Sequence, residues 1–445
     1  MVKNKLISER QSGSGASMTL GAAISMGVGA MVGAGIFALM GEAGASAGSA
    51  VYISFIIAGI ISLFSGYSYA KLGVRYPSAG GIVEYLVQAY GSGYLTGVLS
   101  IILYLSITVV MGMVARAFGN YAAALFAPQA SALFINIFAS AIVVLLTAVN
   151  AAGSEAVGKL EKFIVVAKVL ILAVFIIVSF AFINPELLSA KESTSSLSGV
   201  LGTVAICLLA YHGFGVITNT VEDMPNPAKT LPRALYGAIA IVIVIYVGAA
   251  IAVFGNLPLP EIIKAKDYAM AEAAKPAFGQ LGFSIIALAA LMSAASSINA
   301  NLYSTANMTY LLAKDGELPE FEARKLWRAG SGGLFTTAIL MLIIANLLDL
   351  SRIATIGSIV YLIVYAAVHW GHLKHLTPET GASKIVVGLA FITNFLVLIL
   401  FGVQTIVRDL AVIYALIVLL LAGISMEIYM QKIQGRTIKR YTDEK

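Results

Sequence analysis

Twelve stretches of the chain are each long and apolar enough to cross a hydrocarbon core, and they leave little sequence for anything else. They run at about 17–43, 47–73, 93–118, 131–151, 160–183, 198–222, 232–256, 280–311, 332–348, 353–371, 383–403 and 409–431. A bilayer core about 30 Å thick takes roughly 20 apolar residues per helix. Without water in the core, a spanning segment must satisfy its own backbone, which predicts helices throughout. The connections are short and marked by Pro, Gly and charge. No soluble domain is expected between spans, and one short interfacial helix is expected near Gly81–Tyr90. Charged residues make up 11% of the chain, less than half the share of about 25% in soluble domains. That excludes a soluble enzyme. The single cysteine, Cys207, excludes an intrachain disulfide or a multi-cysteine metal site and reads as a small buried apolar residue. The polar segment 1–17 meets the first span with no A-x-A cleavage pattern, so no secretory leader is expected.

An even number of spans puts both termini on one side. If that side is the cytoplasm, 20 basic residues lie inside and 7 outside, with Lys168 within a span. The bias predicts cytoplasmic termini in the cell membrane. The net charge of +6 then reports orientation rather than a nucleic-acid partner.

Two spans carry glycines at their middles. The first contains Gly27, Gly29, Gly33 and Gly35 in GVGAMVGAGIF, and the sixth contains Tyr211-His212-Gly213-Phe214-Gly215 in LLAYHGFGVITN. Such glycines also suit close helix packing, as Gly29-x-x-x-Gly33 would in a dimer motif. Their matching positions, five spans apart, point instead to two five-helix repeats. An odd repeat length inserts the second copy upside down, the pattern of transporters with broken helices around a central site. The first run is not a dinucleotide fingerprint, because its spacing is G-x-G-x-x-x-G and it follows no strand.

Broken helices expose backbone groups. The second half of the first span would present N–H groups at Ala34, Gly35 and Ile36, suited to a carboxylate. The first half of the sixth would end in free carbonyls near His212–Phe214, suited to an ammonium. Together they predict a site for a zwitterion such as an α-amino acid, lined by Met31, Gly33, Ala34, Gly35, Tyr211, Gly213, Phe214, Gly215 and Ile217. Tyr211 and Phe214 suit either packing or gating. Lys168, in FIVVAKVLILAVF, either faces the bundle as a functional group or snorkels toward the interface near Lys162.

The first-span run, the turn Tyr76-Pro77-Ser78-Ala79-Gly80-Gly81, the sixth-span HGFG and the segment from Glu222 through Pro225-Asn226-Pro227 to Ala234 resemble the amino acid–polyamine–organocation (APC) superfamily over essentially the whole chain. The resemblance implies an all-α membrane protein of 12 transmembrane helices with the leucine-transporter (LeuT) fold. A first inverted repeat would span 17–185 and a second 198–376, with broken helices 1 and 6. Two additional helices would span 383–431, flanked by cytoplasmic tails at 1–16 and 432–445. It also implies alternating access around the breaks. In sodium symporters of this fold a sodium ion sits between helices one and eight. The resemblance places Lys168, in GSEAVGKLEKFIVVAK, at that position, with Gly29, Ala30, Ser293, Ser296 and Ser297 as partners. Burial penalises an ammonium, so a proton that comes and goes on Lys168 would replace the sodium.

The expected function is proton-coupled symport of small or neutral amino acids with broad specificity, with no cofactor and no metal. An amino acid exchanger or a cationic amino acid or polyamine carrier is the alternative. The second of these is disfavoured because Val216, Ile217 and Thr218 follow Gly215 where cation-selective relatives carry an acid. A channel would not need paired breaks, and an enzyme would need clustered polar residues within the spans. Substrate preference and oligomeric state stay open. His369-x-x-His372-x-x-His375, beside Trp370 and Lys374, reads as an interfacial anchor rather than a metal site. The serines of the eighth span suit their own backbone as well as an ion, and Glu222 and Asp223 are expected to end the sixth helix.

Overall fold

The computed structural model describes residues 18–78, 80–127, 132–152, 157–188, 196–314, 318–328 and 330–433. The tails at 1–16 and 434–445, and Ala79 of the loop motif, lie outside the described residues. The helices are α1 (Leu20–Met31), α2 (Ala34–Ala47), α3 (Val51–Arg75), α4 (Ile82–Tyr90), α5 (Tyr94–Phe126), α6 (Ala132–Ala152) and α7 (Val157–Ser179). They continue as α8 (Leu197–Tyr211), α9 (Pro227–Asn256), α10 (Lys275–Lys314), α11 (Gly332–Leu347), α12 (Leu350–Gly371), α13 (Lys384–Arg408) and α14 (Leu410–Ile428). Among the described residues, 10 helical stretches are long and apolar enough to cross a membrane, one of which joins α2 to α3; α1 and α11 are shorter apolar helices.

A short helix, α4, forms after the second span, where a short interfacial helix is expected. The eighth span begins where the sequence places it, because Gly279, at φ 62° and ψ −154°, bends the chain away from the helical path just before residue 280. A small antiparallel ribbon, Lys325–Trp327 with Gly330–Ser331, precedes α11 and has no counterpart among the sequence expectations.

The helices sort into two packed groups. α3 and α9 pack on each other, with α1 against α9 and α8 against α3. α5 packs on α6, α10 and α11, and their shared core includes Met111, Ile142, Leu302 and Met341. α7 touches both groups, through α9 and α10. At the periphery, α14 buries only 17% of its apolar window. Side chains such as Leu410, Val418 and Leu421 stay exposed there, a surface for lipid rather than water.

Candidate functional site

The first span is interrupted as its glycines predict. Val32, at ψ 51°, leaves the α-helical path, and Gly33 is extended at φ −87° and ψ −152° before α2 starts. Each glycine in a helix interior costs roughly 0.5–1 kcal/mol relative to alanine, so this run gives up its helix cheaply. The end of α1 is then capped by three other helices. The Lys168 ammonium, on α7, donates to the Gly29 carbonyl at 2.9 Å. The Tyr246 hydroxyl, on α9, donates to the Met31 carbonyl. Ser293, on α10, donates to the Val32 carbonyl at 3.1 Å. A cation at the C-terminal end of a helix meets its negative dipole end.

Lys168 is 1% exposed, so its side chain turns into the bundle and does not snorkel. Gly29 admits it by lacking a side chain: a β-carbon there would sit 3.0 Å from Val165 of α7. Ser297 lies beside the break, its hydroxyl 3.3 Å from where a Gly33 β-carbon would be. Ser296 is buried one residue before it. Ala30 faces the other interruption, its carbonyl carbon 2.6 Å from where a Gly213 β-carbon would be.

The sixth span is interrupted differently. After Tyr211 the helix tightens into a 3-10 segment, His212–Asp223, far longer than the three or four residues such helices usually run. Fewer carbonyls are therefore free than an open break would leave. Thr218 and Thr220 donate to the carbonyls of Gly215 and Ile217, at 2.7 and 2.9 Å. The Tyr365 hydroxyl adds a long contact to the His212 carbonyl, 3.5 Å. Tyr246 also reaches the Ala210 carbonyl, at 3.1 Å. Its single proton serves one carbonyl at a time, so it links the ends of α1 and α8. Tyr246 is not among the residues expected from the sequence. Its signal was a lone hydroxyl in the aliphatic run IVIVIYVGAA, since a buried tyrosine seeks a partner.

Tyr211 and Phe214 are fully packed. The Tyr211 hydroxyl donates to the Phe55 carbonyl at 3.1 Å, and Phe214 sits edge-on to Tyr69, ring centres 5.5 Å apart. Ile217 is buried against Gly27. Gly35 passes close to α8, where a β-carbon would lie 3.5 Å from Ala210, whereas Gly215 has open space to 3.8 Å. Met31 is buried at the end of α1, and Ala34 supplies the first backbone N–H of α2. First-turn N–H groups have no acceptor within their own helix.

The histidine motif is corrected. His369 and His372 are fully buried, while Trp370, Lys374 and His375 are exposed. The π-helical turn His372–Leu376 follows α12 directly, and it carries His372 inward onto Ser68 rather than outward to an interface.

Outside the spanning helices, the connection from α9 to α10 closes over one end of α2. Lys266 pairs with Glu42 at 3.5 Å, Ser351 donates to Glu42 at 2.7 Å, and Asn120 donates to Asp267 at 2.9 Å. Burial holds the Asp267 carboxyl up at about 6; Lys266 and Arg116 oppose the rise, and Glu42 and Asp349 reinforce it. The packed connection therefore binds the Asp267 proton more tightly than a locally unpacked, hydrated one with an ordinary carboxyl near 3.9. Packing of the connection is favoured fully below about pH 4 and loses this contribution as pH rises through 6. A rise of that size corresponds to about a 100-fold change in the equilibrium between the packed and locally unpacked connection. Amide exchange over residues 259–272, corrected for its intrinsic rate, is expected to be faster at pH 7.5 than at pH 4.5. Asp267→Asn is expected to remove the difference; a pH effect that survives this substitution assigns it to another group.

A family model for amino acid permeases matches residues 19–430. The chain is 39% identical over 391 residues to the uncharacterized protein MJ0609 of Methanocaldococcus jannaschii, covering 88% of this chain and 90% of that one. It is 35% identical over 330 residues to the inner membrane transport protein YbaT of Escherichia coli, covering 74% and 76%. It is 27% identical over 312 residues to the serine/threonine exchanger SteT of Bacillus subtilis, covering 68% and 70%. With its family model spanning nearly all of a chain of apolar helices, this protein is a transporter and not an enzyme, and it belongs to the amino acid permease family of the APC superfamily.

Proposed function

We propose that the protein is a proton-coupled symporter that takes up small or neutral amino acids with broad specificity, both termini lying in the cytoplasm. The observation that carries this is the capped end of α1. A buried lysine, a tyrosine and a serine from three helices hold the last carbonyls of α1, while the N–H groups of α2 start two residues further on. The substrate carboxylate sits on the α2 end and its ammonium faces the carbonyls between the two interruptions. Among the residues assigned to the substrate there is no acidic side chain, which favours neutral substrates over cationic ones.

The proton rides on Lys168. Charged, it holds the Gly29 carbonyl; neutral, it leaves that end of α1 free to move. The contacts support an inverted repeat with an offset of five spans. One group contains the first, second, sixth and seventh spans, and the other the third, fourth, eighth and ninth. Members of each group thus pair at that offset, and α13 and α14 complete twelve passages.

Exchange is a second reading, favoured by the similarity to a serine/threonine exchanger. Uptake of radiolabelled L-alanine into proteoliposomes separates the readings. Symport predicts accumulation that follows an inward pH gradient and ignores sodium. An exchanger needs internal amino acid and no gradient. Sodium-driven uptake without a pH response would sink proton coupling.

A further inference from the structure

Six polar side chains that play no part in the site above form a continuous hydrogen-bonded line through the apolar bundle. Asn394 donates to Ser65 at 3.1 Å. Ser65 meets His369 Nε2 at 3.0 Å, and His369 Nδ1 meets Ser68 at 3.1 Å. Ser68 meets His372 Nδ1 at 2.8 Å, and His372 Nε2 meets Thr380 at 2.9 Å. Ser65, Ser68, His369, His372 and Asn394 are each 2% exposed or less.

The two ends set the direction of every proton. The Thr380 hydroxyl donates to the Leu376 carbonyl at 2.9 Å, so it accepts from His372 Nε2–H. His372 Nδ1 is then the acceptor for the Ser68 hydroxyl, and Ser68 in turn accepts from His369 Nδ1–H. His369 Nε2 accepts from Ser65, which accepts from Asn394. Both imidazoles are neutral, in opposite tautomers, and every group is satisfied. In the reverse order the Ser65 proton has no acceptor among the described residues. The line is therefore polarised from Ser65 toward Thr380.

Thr380 lines a cleft of about 520 Å³ with Lys71, Arg75, Glu379, Tyr67 and Tyr236, roomy and polar enough to hold water. Ser65 lies ten residues before the end of α3, about 15 Å of helix rise, half the thickness of a hydrocarbon core. One aromatic layer separates His369 from the sixth-span interruption. Tyr69 and Tyr365 stack at 5.2 Å, both contact His369, and both lie edge-on to Phe214. The Tyr69 hydroxyl is buried and has no hydrogen-bond partner among the described residues. The charged groups Lys71, Arg75 and Glu379 face the Thr380 end across the cleft, and neither imidazole is bonded to a carboxylate among the described residues.

We propose that His369 and His372, joined by Ser68, are a proton relay between the middle of the bundle and the cleft at Thr380. One proton arriving at Ser65 moves the Ser65 hydroxyl proton to His369 Nε2. The Nδ1 proton of His369 passes to Ser68, the Ser68 proton to His372 Nδ1, and the Nε2 proton of His372 to Thr380. Thr380 gives its own proton to water. One proton enters, one leaves, and the tautomers are reversed until the groups turn back. Imidazole suits this because one ring nitrogen accepts as the other releases.

The relay rests on the proton-coupled reading, and the test separates the two. Proteoliposomes loaded with a pH-sensitive dye are given radiolabelled L-alanine under an inward pH gradient, and counterflow of the same probe is measured at equal pH. Ser68→Ala, which cuts the line between intact histidines, and His372→Gln are expected to lower gradient-driven accumulation and proton entry at least tenfold. Counterflow should stay within about twofold of wild type, and Ser68→Thr, which keeps the hydroxyl, should recover accumulation. Both variants accumulating like wild type, or losing counterflow in parallel with accumulation, overturns the relay alone. A wild type that shows no alanine-dependent proton entry overturns the coupling reading, and the relay with it, before any variant is compared.

Discussion

Lys168→Arg is expected to bind substrate and exchange it, yet fail to accumulate it. Arginine keeps a charge beside the Gly29 carbonyl, which lysine holds at 2.9 Å, and it does not deprotonate inside a protein. The end of α1 is then held through the whole cycle. Accumulation under a pH gradient falls to the level of protein-free vesicles, while counterflow survives at a reduced rate. Lys168→Gln removes the charge instead. A hydrogen bond to a charged group contributes about 1.5–3 kcal/mol, so substrate binding, which depends on the placed end of α1, should weaken roughly 10- to 100-fold, with no accumulation. An arginine variant that concentrates alanine as well as wild type removes Lys168 deprotonation from the cycle. Buried as it is in this structure, Lys168 leaves no route by which an interfacial anchor could explain loss in both variants.

Gly213→Ala is expected to abolish substrate binding, whereas Gly215→Ala, two residues on, should be nearly silent. At Gly213 the added β-carbon would lie 2.6 Å from the Ala30 carbonyl carbon and the Met31 nitrogen. These are backbone atoms at the end of α1, and they cannot rotate away as a side chain would. Overpacking of this kind costs about 1–3 kcal/mol, and here it forces apart the two interruptions that form the site. Equilibrium binding should fall at least about 100-fold, since groups displaced by 1 Å lose most of their alignment. At Gly215 the nearest atom, the Tyr365 hydroxyl, is 3.8 Å away. Gly35→Val should also lose binding, because its branches cover the N–H groups at the start of α2. Gly35→Ala, whose β-carbon finds Ala210 at 3.5 Å, should retain it. Equal binding by Gly213→Ala and wild type would move the site away from the two interruptions.

Much of this architecture was legible before any coordinates. The apolar runs located the helices, including the short helix α4 and the start of the eighth span at Gly279. The glycines of the first span marked its break to within a residue or two, because glycine and a bilayer-length apolar run conflict locally. The sixth span was legible only in part. Its glycines signalled an interruption, but the choice of a 3-10 segment over an open break depends on Thr218 and Thr220 closing carbonyls on their own turn. The motif His369-x-x-His372-x-x-His375 misled for a related reason. Position near a helix end suggests an interface, and nothing local reveals that serines on α3 and an asparagine on α13 wait on the buried side.

What the sequence determined by itself was whatever follows from local chemistry: helices, their lengths, the places where glycine weakens them, and the exclusion of a soluble fold. The bilayer demands those features span by span, so each can be read without its neighbours. Tertiary structure decided which helix ends are capped and by whom. Lys168, Tyr246 and Ser293 are 125 residues apart along the chain from first to last, yet they converge on one turn of α1. In an apolar interior a single hydrogen bond outweighs any local preference of a polar side chain. Only packing determines where its partner stands.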